Sequence, residues 1–336
     1  MKIDIEFNSG AQLPMNAIPE LARLAEQHGF DCAWGGEANN KDPTVMLAAI
    51  AAVTEKLKVG SAVYHILGRT PATLALQAAG LDELSSGRFV LGIGSSNPTI
   101  AKWHGQTLDH PMGRVEEYIE IVRAAMRGEK LAFTGKYFLA HNFKMAFKPP
   151  ARSIPIYLAA FGPKMTRLAG RIADGVLINM ANPGEVRRIA EEAKSAAAQA
   201  GKDPEVFEVI CKIRCSIAPQ HGTAREALSH ALTYYALADY YRELLGRMGF
   251  SAEVEAMRLA WKSGGFHAAR RLVSERMFTS LPLVAATSAQ EVIEQIKPYA
   301  AAGATRIILP YVAASDDLVT EMKSFICCWS PAGVPI

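Results

Sequence analysis

Gly80-Leu81-Asp82-Glu83-Leu84-Ser85-Ser86-Gly87-Arg88-Phe89-Val90-Leu91-Gly92-Ile93-Gly94-Ser95-Ser96-Asn97-Pro98 is the stretch that decides the fold. A helix is predicted to end at Leu84. A turn follows at Ser85-Ser86-Gly87, then a short apolar strand over 88–93. The strand stops at Gly94, where the chain opens into Ser95, Ser96 and Asn97. Small residues at the carboxyl end of a buried strand let a ligand come close to the main chain. Open α/β sheets and β/α barrels place their active sites there. An ordinary strand-to-loop exit would look the same.

The same strand, loop and helix pattern repeats on both sides. Strand-like runs fall near 3–7, 30–34, 57–63, 88–93, 154–159, 174–178, 206–217 and 305–310, and helical runs follow most of them. A helix over 15–28 places Ile18, Leu21, Leu24 and Ala25 on one face before Gly29 stops it. A second, over 111–127, spaces Val115, Tyr118, Ile119, Val122 and Met126 helically before Gly128. Asp42-Pro43, Thr70-Pro71, Gly162-Pro163 and Asn182-Pro183 each set a capping residue before a first-turn proline. Each follows a strand and its loop, so these helix starts should face the end where the strands exit. Eight such units predict a closed parallel (β/α)8 barrel rather than an open sheet.

Two stretches break the repeat. Residues 129–153 carry Phe133, Tyr137, Phe138, Phe143 and Phe147 among turn residues, as a hairpin-like insertion would. Residues 222–280 are helical and hold Tyr234, Tyr235, Tyr240, Tyr241 and Trp261, an insertion after the seventh strand placed to act as a lid. With no separable linker, residues 1–336 read as one barrel domain carrying both insertions.

The totals agree with a buried core. Half of the 336 residues are hydrophobic and 21% are charged. A net charge of +3 without dense Lys/Arg runs argues against nucleic acid. Cys32, Cys211, Cys215, Cys327 and Cys328 show neither disulfide nor metal-ligand spacing, so reduced thiols, no metal and a cytoplasmic location are expected. Met1 to Phe7 alternate like a strand and not like a signal peptide, and no apolar run approaches a membrane span.

Three sites carry candidate chemistry. Gly92-x-Gly94-x-x-Asn97 has the outline of a dinucleotide fingerprint. Its third glycine is missing and no helix is predicted directly after it, which argues against that reading. Ala159-Ala160-Phe161-Gly162-Pro163-Lys164-Met165 joins a strand end to a helix start, where free N–H groups and the helix dipole favour an anion. Lys164 in the first turn opposes the dipole unless an anion sits there; a plain cap with an exposed lysine is the alternative. Glu6 lies within the first strand, and Glu37 follows Gly35-Gly36 after the second. A buried carboxylate needs a partner or a role. If Ile5 and Phe7 pack against helices, alternation turns Glu6 into the barrel, where an isolated carboxylate would suit proton transfer. A structural hydrogen bond or salt bridge would also account for it.

Taken together these residues resemble the bacterial luciferase-like superfamily over nearly the whole chain. Within it, the resemblance is strongest to the deazaflavin branch typified by methylenetetrahydromethanopterin reductase. It is carried by Ile5-Glu6-Phe7, Gly29-Phe30 with Trp34, Asn39-Asn40, Leu81-Asp82-Glu83-Leu84-Ser85 with Gly87-Arg88, Leu91-Gly92-Ile93-Gly94, Pro155-Ile156-Tyr157 with Gly162-Pro163, and Ala173-Asp174-Gly175 with Ile178-Asn179.

The resemblance implies a β/α barrel that binds coenzyme F420, or alternatively FMN, at the strand exits. The ring would lie over Ala62-Val63, joined by a non-proline cis peptide, and beside Ser95, Ser96 and Asn97. The phosphate arm would reach Phe161, Gly162, Lys164 and Met165, with His65 a further contact. The implied activity is hydride transfer between F420 and an organic substrate, a pterin or folate one-carbon carrier in the nearest branch. Glu6, and after it Glu37, would handle protons. An FMN-dependent monooxygenase and a non-catalytic flavin- or deazaflavin-binding protein are the other readings. The chain departs from the family's pattern twice: Ala38 stands where a histidine commonly follows the acidic residue, and Asn97 stands where a carboxylate often does. A small-molecule substrate and a homodimer or higher homo-oligomer are expected.

Overall fold

The computed structural model describes residues 1–7 and 13–330. Residues 8–12 and 331–336, which belong to the span read as one barrel domain, lie outside that description.

Eight parallel strands close a barrel. They are β1 (Lys2–Glu6), β2 (Cys32–Gly35), β3 (Lys58–Ser61), β5 (Phe89–Gly94), β8 (Ile156–Ala159), β9 (Gly175–Asn179), β10 (Glu208–Lys212) and β13 (Arg306–Pro310). Their order round the sheet is β3-β2-β1-β13-β10-β9-β8-β5, and pairing of β3 with β5 closes the ring. All eight were legible in the sequence. Two are prolonged past a break. β4 (Tyr64–His65) continues β3 beyond the Ala62–Val63 bond, which is cis as the resemblance implied. β11 (Arg214–Ile217) continues β10 and pairs in parallel with β12 (Leu283–Ala286), a strand the sequence reading missed.

Alternation sorts the side chains. Ile3, Ile5 and Phe7 of the first strand region pack outward among the helices, while Cys32, Trp34, Val90, Tyr157, Leu177, Ile210 and Ile308 fill the barrel. Space inside is tight. A Cβ on Gly92 would lie 1.9 Å from the Ser61 carbonyl oxygen, so only glycine fits there. Below this layer Asp4 accepts from Arg306 Nη1 on both oxygens, at 2.7 and 2.9 Å, and from the Trp34 indole N–H at 2.8 Å.

The predicted caps form. Asp42 accepts from Thr44 and Val45 N–H, Thr70 from Thr73 N–H, and Asn182 from Glu185 N–H. In one place the expectation fails: a helix, Pro98–Trp103, does follow Asn97 directly, and the Asn97 side chain caps it through Thr99 and Ile100 N–H. The closed barrel, rather than the lack of a helix, is what excludes the dinucleotide fold here.

Two further stretches lie between barrel strands. β6 (Ala132–Thr134) and β7 (Leu139–His141) form an antiparallel hairpin whose turn is held by Glu117, which accepts from the N–H groups of Lys136, Tyr137 and Phe138. The helices His221–Leu237, Asp239–Arg247, Ser251–Arg270 and Glu275–Ser280 make the second insertion and enclose their own apolar core.

Candidate active site at the strand exits

The carboxyl ends of the strands bring together almost every residue singled out from sequence. Glu6 is inward and buried, as alternation required. It is not isolated. The Lys212 ammonium lies 3.0 Å from both its oxygens, donating to Oε1, and also donates to the Ala62 carbonyl at 2.7 Å. Glu6 is therefore half of an ion pair, the salt bridge that the sequence left open. That pair ties β1 and β10 to the peptide on which the ring was expected to rest.

Glu37 is held more firmly. Arg69 grips it with two guanidinium nitrogens, one at 3.0 Å, and the His65 main-chain N–H donates to it at 3.0 Å. Arg69 in turn stacks over Tyr64, 4.5 Å from the ring centroid. The His65 ring lies against this assembly, its Nε2 3.5 Å from Glu37. It is 2% exposed, and neither ring nitrogen has a hydrogen-bond partner. Burial holds the imidazole below its ordinary pKa, against the opposing pull of Glu37. His104 covers it edge-on, with ring centroids 4.8 Å apart. Sequence showed no histidine after Glu37; the fold sets one beside it from the next strand.

Val63 packs where a Cβ on Gly94 would lie, 2.8 Å away, which joins the cis peptide to the Gly94 exit. Ser95 donates to the Ser96 carbonyl at 3.3 Å. The Ser96 hydroxyl is buried without a partner and its backbone is left-handed, with φ 81°. A buried hydroxyl left this way needs a hydrogen-bonding ligand. Asn97 spends its side-chain oxygen on the helix cap.

On the neighbouring strand exit, after β8, the helix Pro163–Ile172 starts at Gly162 and has no side-chain cap, unlike the proline-led helices after Asp42, Thr70, Asn97 and Asn182. The first N–H groups are thus left to another acceptor. Lys164 is exposed there and Met165 is half-buried. The Phe161 carbonyl accepts from Arg188 at 2.9 Å and Arg247 at 2.8 Å, and both arginines pair with Glu185. Their hold on Glu185 keeps its carboxyl below the usual range despite burial.

Four further groups were not among the site residues expected from sequence. Asn179 ends β9, donates to the Tyr241 hydroxyl and accepts from Arg214 at 2.9 Å. Tyr241 stacks on Phe161, with centroids 5.4 Å apart, and meets Tyr235 edge-on. The tyrosines come from the helical insertion, so that insertion roofs the barrel mouth. Lys212 and Arg214 sit two residues apart in the apolar run from Val209 to Ile217. Like Glu6, charges in a buried strand are the signal that could have found them.

A closed parallel barrel that gathers buried charged and polar side chains at its strand exits has the architecture of a barrel enzyme. The luciferase-like monooxygenase family matches residues 4–306, and the chain belongs to it, a family of oxidoreductases. It is similar to the 5,10-methylenetetrahydromethanopterin reductase of Archaeoglobus fulgidus, 31% identical over 317 residues that cover 92% of each chain. Two solved structures share the fold. The coenzyme F420 dependent tetrahydromethanopterin reductase of Methanopyrus kandleri superposes with TM-score 0.82 at 23% identity, over 96% of this chain and 97% of that one. An F420-dependent secondary alcohol dehydrogenase superposes with TM-score 0.77 at 22% identity, over 97% and 98%. Among the described residues no helix is long and apolar enough to cross a membrane.

Proposed function

We propose that the protein is an F420-dependent oxidoreductase that moves a hydride between the cofactor and an organic substrate of the pterin or folate one-carbon carrier class. The observation that carries this is the mouth itself: the uncapped helix start at Gly162, after β8, lies beside the exit of its neighbour β5, where the Ser96 hydroxyl is buried without a partner. The similarity to F420-dependent reductases supports the choice of deazaflavin over FMN, and the 31% identical relative supports the substrate class.

F420, when bound, would supply or accept a hydride at C5 of its ring. Ala62, Val63, Ser95, Ser96 and Asn97 would hold the ring, with Ser96 Oγ and His65 as polar contacts. Main-chain N–H groups near Phe161, Gly162 and Met165, with Lys164, would hold the phosphate. The roof of Tyr235 and Tyr241 keeps water from the mouth. Glu6 is the better placed of the two carboxylates for proton handling. Its Oε2 accepts no hydrogen bond, whereas Glu37 is locked by Arg69 and serves to orient the His65 segment.

The test is an anaerobic assay with reduced F420 and methylenetetrahydromethanopterin, followed by F420 absorbance. Substrate-dependent oxidation of F420 is expected. F420 binding with no turnover on any pterin or folate carrier would overturn the substrate class. Aerobic turnover with reduced FMN alone would overturn the cofactor.

A further inference from the structure

Arg214 is a buried cation with no anion beside it among the described residues. It is 8% exposed. Its Nη1 donates to the Asn179 side-chain oxygen at 2.9 Å and lies 3.9 Å from the Met180 sulfur; its Nη2 donates to the Tyr235 hydroxyl. The guanidinium carbon stands 4.5 Å from the Tyr235 ring centroid. Every one of these partners is neutral, and no carboxylate among the described residues pairs with it. Burial pushes the neighbouring Tyr241 phenol up, so that group supplies no negative charge either.

The strand makes the imbalance plain. Lys212, Arg214 and Ser216 alternate onto one side of the β10–β11 run. Lys212 is balanced by Glu6. No carboxylate among the described residues balances Arg214. Two residues on, the Ser216 hydroxyl is fully buried and has no hydrogen-bond partner. A desolvated, unpaired charge costs several kcal/mol, and a buried hydroxyl without a partner adds to that. Both costs fall on the side of β11 that faces the helical insertion, under the tyrosine roof. A planar guanidinium with spare donors is suited to a carboxylate or phosphate.

We propose that Arg214 anchors an oxyanion, carboxylate or phosphate, carried by the organic substrate. This rests on the hydride transfer proposed above. The cofactor's own phosphate has the same chemistry but is assigned, in the function proposed above, to the uncapped helix start at Gly162. Arg214 thereby selects acidic substrates and fixes one end of the molecule under the roof.

The experiment is calorimetric titration of the full chain with inorganic phosphate and with succinate, in chloride buffer of constant ionic strength. F420 is titrated in parallel through its own fluorescence. Saturable binding of at least one anion is expected, with at least a tenfold loss in Arg214→Met and a smaller loss in Arg214→Lys. Asn179→Asp keeps the shape and gives Arg214 an internal carboxylate. It should fold with an unchanged or raised Tm and also lose anion affinity at least tenfold. F420 affinity should stay within twofold in all three. No saturable anion binding by the wild type, or wild-type affinity in Asn179→Asp, overturns the proposal. A tenfold loss of F420 affinity in Arg214→Met assigns the oxyanion to the cofactor and overturns the substrate assignment. If the wild type fails to bind F420 yet Arg214→Met and Asn179→Asp lose the anion, the cofactor is wrong and the anion site stands.

Discussion

The Lys212 ammonium stands 3.0 Å from the Glu6 carboxylate, joining two strands across the inside of the barrel. Both side chains are largely buried, and the same ammonium holds the Ala62 carbonyl of the cis peptide at 2.7 Å. Breaking a buried pair from one side leaves an uncompensated charge. Lys212→Met should therefore cost about 3–5 kcal/mol in urea unfolding. The double variant Glu6→Gln/Lys212→Met should recover a large part of that loss. A strictly additive cycle would show that the two residues do not act as a pair. In turnover, Glu6→Gln should lower the rate. Full rate would make Glu6 a structural residue only.

His65 gives a pH dependence of stability with a definite sign. Burial holds its folded pKa below the ordinary 6.5. The unfolded chain therefore takes up a proton at a higher pH than the folded one. The stability from keeping this imidazole neutral is complete above pH 6.5 and is lost as pH falls below it, until the folded ring itself protonates. Unfolding curves between about pH 7.5 and 5.5 should show stability falling with acid, and His65→Asn should reduce that slope. Equal slopes in the two proteins would mean that His65 titrates alike in both states.

The barrel was legible because its signals are local. Alternation in Ile3-Asp4-Ile5-Glu6-Phe7, capping before Pro43, Pro71 and Pro183, and small residues after Ile93 each act within a few positions. The site was legible as far as it lies on those strand exits. What escaped was set by tertiary pairing. Glu6 looked isolated because Lys212 is 206 positions away. The apparent lack of a histidine beside Glu37 vanished once His65 came over from the next strand. Leu283-Val284-Ala285-Ala286 is too short and too small to announce a strand, and it forms one because Arg214–Ile217 offers it an edge. The helix after Asn97 was missed although Asn-Pro is the same start signal as at Asn182-Pro183.

Lys164 tests the phosphate end. It is exposed at a helix start that has no side-chain cap. Lys164→Glu should weaken F420 binding at least tenfold, about 1.4 kcal/mol, at low salt. The loss should shrink as salt screens the charge. Unchanged affinity at low salt would place the phosphate elsewhere on the mouth.

The identity of the bound cofactor tests the central claim most directly. The chain should be purified from a host that makes both FMN and F420, and the co-purifying chromophore identified by its absorbance and mass. The account predicts the absorbance and mass of F420, bound near one per chain and lost from the variant Lys164→Glu. FMN in stoichiometric amount, with F420 absent, would contradict it.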